Sequence, residues 1–128
     1  MNDDVTDKVF ISVPPREQLS KVIHLATTAV ASRTGLNIDQ ADDLNTAIDE
    51  LFRLFLSSNG KSNAFCVRYD IHPDRLEILA EGVSASFYND SSEISRYGRF
   101  IFDKVADRFE ESPNPEGGFD ILLVKFIH

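Results

Sequence analysis

The side chains best placed for chemistry are two adjacent carboxylates, Asp49 and Glu50, set inside an apolar helical pattern. Ala41, Leu44, Ile48, Leu51, Phe52 and Phe55 follow the i, i+3, i+4, i+7 spacing that turns one stripe of a helix toward a core. Glu50 falls at the edge of that stripe, beside Ala47 and Leu54. A carboxylate there either reaches water, with Asp49 and Glu50 both able to pair with Arg53 on the helix surface, or serves a site. The other reactive groups are scattered. His24, His72 and His128 share no metal-ligand spacing with one another or with Cys66, so no metal site is expected. Cys66 has no second cysteine to pair with, and its apolar surroundings mark it as a small buried hydrophobe. There is no Gly-rich phosphate loop, Ser-His-Asp order or Cys-His pair.

The carboxylates need a helix to hold them, and residues 41–58 form one, capped by Asn37 or Asp39 and ended by the polar stretch 57–63. Upstream, residues 8–13 (KVFISV) read as a strand stopped by Pro14-Pro15. Pro15 can open a first helix over about 15–34, with Leu19, Val22, Ile23, Ala26 and Val30 as its apolar stripe and Gly35 as its C-terminal cap. Residues 64–71 and 75–81 make a hairpin around His72-Pro73-Asp74. Tyr97, Phe100, Ile101, Lys104-Val105 and Phe109 restore helical spacing, so a third helix is predicted over about 92–107. Residues 111–118 read as a loop, and 119–127 (FDILLVKFI) as a central strand covered on both faces. The order is strand, two helices, two strands, a helix and one or two final strands. That order predicts an α+β fold: a two-layer α/β sandwich with a mixed, mostly antiparallel sheet and helices on one face.

With 128 residues the chain is expected to form one domain, 1–128, burying roughly two thirds of the surface its unfolded form exposes. A net charge of −8 argues against nucleic acid and anionic membrane, which need a surplus of Lys and Arg. It favours a protein partner with a basic surface. No apolar run has membrane-spanning length and the N-terminus is acidic, so a cytoplasmic protein is expected.

Four segments carry a resemblance: Val22-Ile23-His24-Leu25, Ala31-Ser32-Arg33-Thr34-Gly35-Leu36, Ala41-Asp42-Asp43-Leu44 and Ala47-Ile48-Asp49-Glu50. In this order and spacing the chain resembles the bacterial anti-sigma factor serine kinases of the histidine-kinase, gyrase and chaperone (GHKL) ATPase superfamily. The likeness implies that Glu50 is the glutamate that polarises the attacking hydroxyl. One turn later the family places an asparagine that holds magnesium against the phosphates, and here that position is Leu54. Magnesium requires oxygen ligands in near-octahedral array, and leucine has none.

Three further parts of the implied nucleotide site are altered. No aspartate lies between Asp74 and Asp90 to anchor adenine: Gly82 and Ser84 occupy the motif's aspartate and glycine positions, or Ala80 and Gly82 after a two-residue slip, with Glu81 the nearest acid. Of the phosphate lid only Gly98 matches, with Arg96 at the partner glycine. Gly118 matches the final strand's glycine, but the following threonine is Phe119 or Asp120, and an aspartate would repel phosphate.

The resemblance thus implies an anti-sigma-factor-like regulator that binds a sigma factor or its anti-anti-sigma (STAS-type) antagonist without phosphorylating it. The alternative is an active ATP-dependent serine kinase acting on an anti-anti-sigma protein, and a third reading is a dimeric scaffold with another client. On the first reading no cofactor is required, and ATP with Mg would bind only if the altered site retains affinity. Arg16 and Lys21, at the start of the first helix, match the basic region that meets both partners in the family. A homodimer is compatible with all three readings.

Overall fold

The computed structural model describes residues 7–58, 64–84, 93–116 and 118–127. Their elements are β1 (Asp7–Val13), a single 3-10 turn (Glu17–Leu19), α1 (Ser20–Ala31), α2 (Ile38–Ser58), β2 (Phe65–Ile71), β3 (Arg75–Ser84), α3 (Glu93–Val105), β4 (Arg108–Pro113) and β5 (Phe119–Phe126). No helix among the described residues is long and apolar enough to cross a membrane.

The first helix is shorter than its stripe suggests. After Pro14 and Pro15 the backbone closes the 3-10 turn, and α1 starts only at Ser20. It ends at Ala31 through hydroxyl chemistry instead of a glycine cap: Thr34 Oγ1 donates to the Ala31 carbonyl at 2.6 Å and accepts the Leu36 N–H at 3.1 Å. Gly35 is required for another reason, because a Cβ there would sit 2.8 Å from Ile127 Cγ2. At the start of α2, Asn37 is the cap. Its Oδ1 accepts the Gln40 N–H at 2.8 Å while Gln40 Oε1 accepts the Asn37 N–H at 2.9 Å, a reciprocal capping box. Ser57 and Ser58 continue α2; the rest of the expected polar turn, 59–63, lies outside the described residues.

The strands form one sheet in the order β1-β2-β3-β5-β4, and all four pairings are antiparallel, so the expected mixed character is absent from these strands. Register puts Ile11, Val67, Ala80 and Ile121 in one row and Val9, Tyr69, Ile78 and Leu123 in the next. With a side-chain period of two, both rows face the same way. They pack with Ile48, Leu51 and Phe55 of α2, Ile23 of α1 and Phe102 of α3 in one core. Each fully buried Leu, Ile or Phe in it contributes about 1.5–3 kcal/mol. Thr27 and Tyr69 add a buried hydroxyl pair, 2.7 Å apart, between α1 and β2.

Two expectations fail at the C-terminal end. Residues 108–113 form β4, so the predicted loop begins later, and Phe109 belongs to this strand, its ring 5.0 Å from that of Phe102. Its polar composition and terminal proline suit an edge strand, which needs only one apolar face and one hydrogen-bonded side. β5 is consequently not central: it lies one strand in from the edge, with Ile121 and Leu123 under the helices. Its other face is only partly covered, Leu122 standing half-buried opposite Leu79. Cys66, expected to be buried, is half-buried in β2.

Candidate functional site

The α2 stripe forms as its spacing predicts, and it carries Glu50 inward: the residue is 5% exposed. Arg53, one turn on, closes over the carboxylate, with Nε donating to Oε1 at 3.1 Å and Nη2 donating to Oε2. The expected helix-surface pair is therefore half-internal, with a buried anion and a cation about half exposed. Asp49 does not share Arg53. It reaches across to α1, where its Oδ1 lies 2.7 Å from His24 Nε2. Glu50, Asp49 and Arg53 line a groove of about 360 Å³ together with Ser20 at the start of α1 and Tyr97 and Ile101 of α3.

Tyr97 was not legible as a groove residue. Gly98, Ile101, Phe102 and Val105 also stand at i, i+3, i+4 and i+7, and over 97–105, the part of α3 whose side chains are described, these are the buried positions. The competing series through Tyr97 and Phe100 points outward, leaving Tyr97 56% exposed at the groove rim. Gly98, the one lid position that matched, is thus a packing residue of α3. Arg96 lies in the first turn of α3 and Ser84 at the end of β3; their side chains, and the lid stretch 85–92, lie outside the described residues.

Leu54 turns into the core at 4% exposure, packed in the same cluster as Phe52, Phe55 and Phe65. It presents hydrocarbon where the resemblance implies a metal-holding amide. Gly82, Gly118 and Asp120 form a separate cluster at the β3–β5 junction and do not line the groove. The register shifts between Ala80 and Ser84, Gly82 adopts φ 60° and Gly118 φ 72°, and a Cβ on Gly118 would meet the Gly82 carbonyl carbon and oxygen at 3.2 Å. Asp120 braces this bulge: its Oδ1 accepts from the Gly82 N–H and from Asn114 Nδ2, each at 2.8 Å.

Arg16 precedes the 3-10 turn with extended backbone, and Lys21 is the second residue of α1; both are exposed. Val22 and Leu25, exposed on the same helix, add apolar surface beside Lys21, Leu25 at 71%.

Comparison with known proteins agrees with this architecture. The serine-protein kinase RsbW of Bacillus pumilus (strain SAFR-032) is 24% identical over 149 aligned positions, spanning 100% of this chain and 90% of its own. RsbW of Bacillus cereus (strain AH187) is 28% identical over 94% of this chain and 73% of its own length, and RsbW of Bacillus subtilis (strain 168) 27% over 94% and 74%. Over most of its length the chain is thus similar to anti-sigma factor serine kinases named RsbW. No protein-family model matches it. The five-stranded antiparallel sheet under three helices is consistent with the GHKL-like fold of that family. Glu50, where the resemblance implies the glutamate, lines the groove, whereas Leu54, one turn on, is sealed into the core.

Proposed function

We propose that this chain acts as an anti-sigma factor, regulating by binding a sigma factor or its anti-anti-sigma antagonist, and that it does not transfer phosphate. The observation that carries the reading is Leu54. Its side chain is buried in the hydrophobic core, so that position offers no oxygen to a magnesium ion, and none can be gained by a rotamer change. Without the metal, charge developing on the transferring phosphoryl group goes unneutralised. Two details support the same reading. Both Glu50 oxygens are engaged by Arg53, and Asp120 is engaged in bracing the Gly82 bulge.

The test is incubation with labelled ATP, magnesium and a candidate antagonist. The antagonist is expected to stay unlabelled while a pull-down retains it or its sigma factor. Stoichiometric serine labelling within minutes would establish the second reading, an active kinase. That reading draws support from Glu50 at the groove and from relatives that carry the name serine-protein kinase.

A further inference from the structure

The sheet face turned away from the helices carries a second cluster of reactive groups. Asp70 and Glu77 are directly opposed across β2 and β3, and His72 follows Asp70 by two residues at the end of the hairpin. One ligand-capable atom from each lies within 4.8 Å of the other two, and among the described residues this is the group of His, Cys and carboxylates close enough to share an ion.

The hydrogen bonding is half complete in a patterned way. Arg68 Nε donates to Asp70 Oδ2 at 3.2 Å, and Arg75 Nε donates to Glu77 Oε2 at 2.8 Å. Each carboxylate therefore gives one oxygen to an arginine on its own strand and keeps the other. Asp70 Oδ1 is buried without a hydrogen-bond partner, and so are both ring nitrogens of His72, a residue 5% exposed. His72 Nε2 stands 3.4 Å from Glu77 Oε1 at a geometry that makes no hydrogen bond. An imidazole buried with neither nitrogen satisfied costs free energy unless something else meets it.

We propose that Asp70, His72 and Glu77 bind one divalent transition cation of the zinc class, through Asp70 Oδ1, one His72 ring nitrogen and Glu77 Oε1. One imidazole with two carboxylates is a donor set suited to zinc, with water completing the tetrahedron, whereas magnesium takes oxygen ligands and keeps most of its water. Arg68 and Arg75 act as the outer partners that orient ligating carboxylates. Their positive charge also weakens cation binding, so the affinity is modest. The bound ion would clamp the turn to which the C-terminal strand is tied, the Ile127 N–H donating to the Asp74 carbonyl at 2.9 Å.

The experiment uses the full chain after chelator treatment. Calorimetric titration with Zn²⁺ should give one equivalent bound, Co²⁺ should give a visible tetrahedral absorption band, and Mg²⁺ should give neither. His72→Gln and, separately, Asp70→Asn should each weaken Zn²⁺ binding at least tenfold while circular dichroism stays native. Wild-type protein that binds neither Zn²⁺ nor Co²⁺ overturns the proposal. Zn²⁺ binding that survives in both variants overturns it too, since the ion is then held elsewhere.

Discussion

Glu50 and Arg53 stand one turn apart on α2 and join at two points, yet the carboxylate is buried and the guanidinium about half exposed. Breaking such a pair from its two ends should not cost the same. Removing Arg53 strands a buried charge, while neutralising Glu50 leaves a cation that water can solvate. Arg53→Met is expected to destabilise by roughly 2–3 kcal/mol and Glu50→Gln by about 1 kcal/mol. Urea denaturation of both variants checks the order; equal losses would mean that Glu50 is better hydrated than its burial indicates.

Placing at position 54 the amide that the resemblance implies should not create phosphoryl transfer. Leu54→Asn would place a polar group in the hydrophobic core, costing roughly 2–4 kcal/mol. The expected outcome is a lower thermal midpoint with no labelling of an antagonist by ATP. A stable Leu54→Asn protein that phosphorylates would show that this part of α2 can turn toward the groove.

Partner exchange is expected to involve the exposed start of α1. Arg16→Ala with Lys21→Glu should slow association with a recovered partner and flatten its salt dependence, each rim charge contributing about 1 kcal/mol or less. Surface plasmon resonance at low and high salt is the measurement, with circular dichroism to show that the variant stays folded. Unchanged affinity at low salt would move the contact surface off this helix.

At the β3–β5 junction, Gly118→Ala meets both a positive φ and a backbone 3.2 Å away, so it should cost more than the roughly 1 kcal/mol typical of a backbone effect alone. Asp120→Ala removes the acceptor of two hydrogen bonds and is expected to lose about 1–3 kcal/mol, whereas Asp120→Asn, which can keep the accepting oxygen, should lose less. Thermal unfolding of the three variants tests this ranking.

Tyr69 supplies a pH prediction. Burial pushes its phenol up from 10.0 to about 12, against a smaller lowering from the Thr27 hydrogen bond. A pKa raised in the folded state means that the unfolded chain releases the proton first. The contribution is thus fully present below pH 10 and is lost as pH rises toward 12, amounting to roughly 2–3 kcal/mol. Ultraviolet titration beside denaturation at pH 9, 10 and 11 should show this loss, and Tyr69→Phe should reduce it.

Local spacing along the chain was enough to place the three helices, the hairpin, the Asn37 alternative among the α2 caps and the position of Glu50 at the edge of the α2 stripe. Those features depend on the helical period of 3.6 and the strand period of two, which are properties of a segment alone. Packing decided the rest. Two apolar series compete on α3, and only the core chose Gly98, Ile101, Phe102 and Val105 over Tyr97 and Phe100. β4 carries little hydrophobic signal, because an edge strand draws its stability from pairing with a neighbour distant in the fold. His72 shared no ligand spacing with the other histidines or Cys66, and its carboxylate neighbours are brought together only by the β2–β3 register, which sets Asp70 opposite Glu77. Burial likewise turned Glu50 from a surface charge into an enclosed one, for a side chain's environment depends on the elements packed over it, which its own helix does not encode.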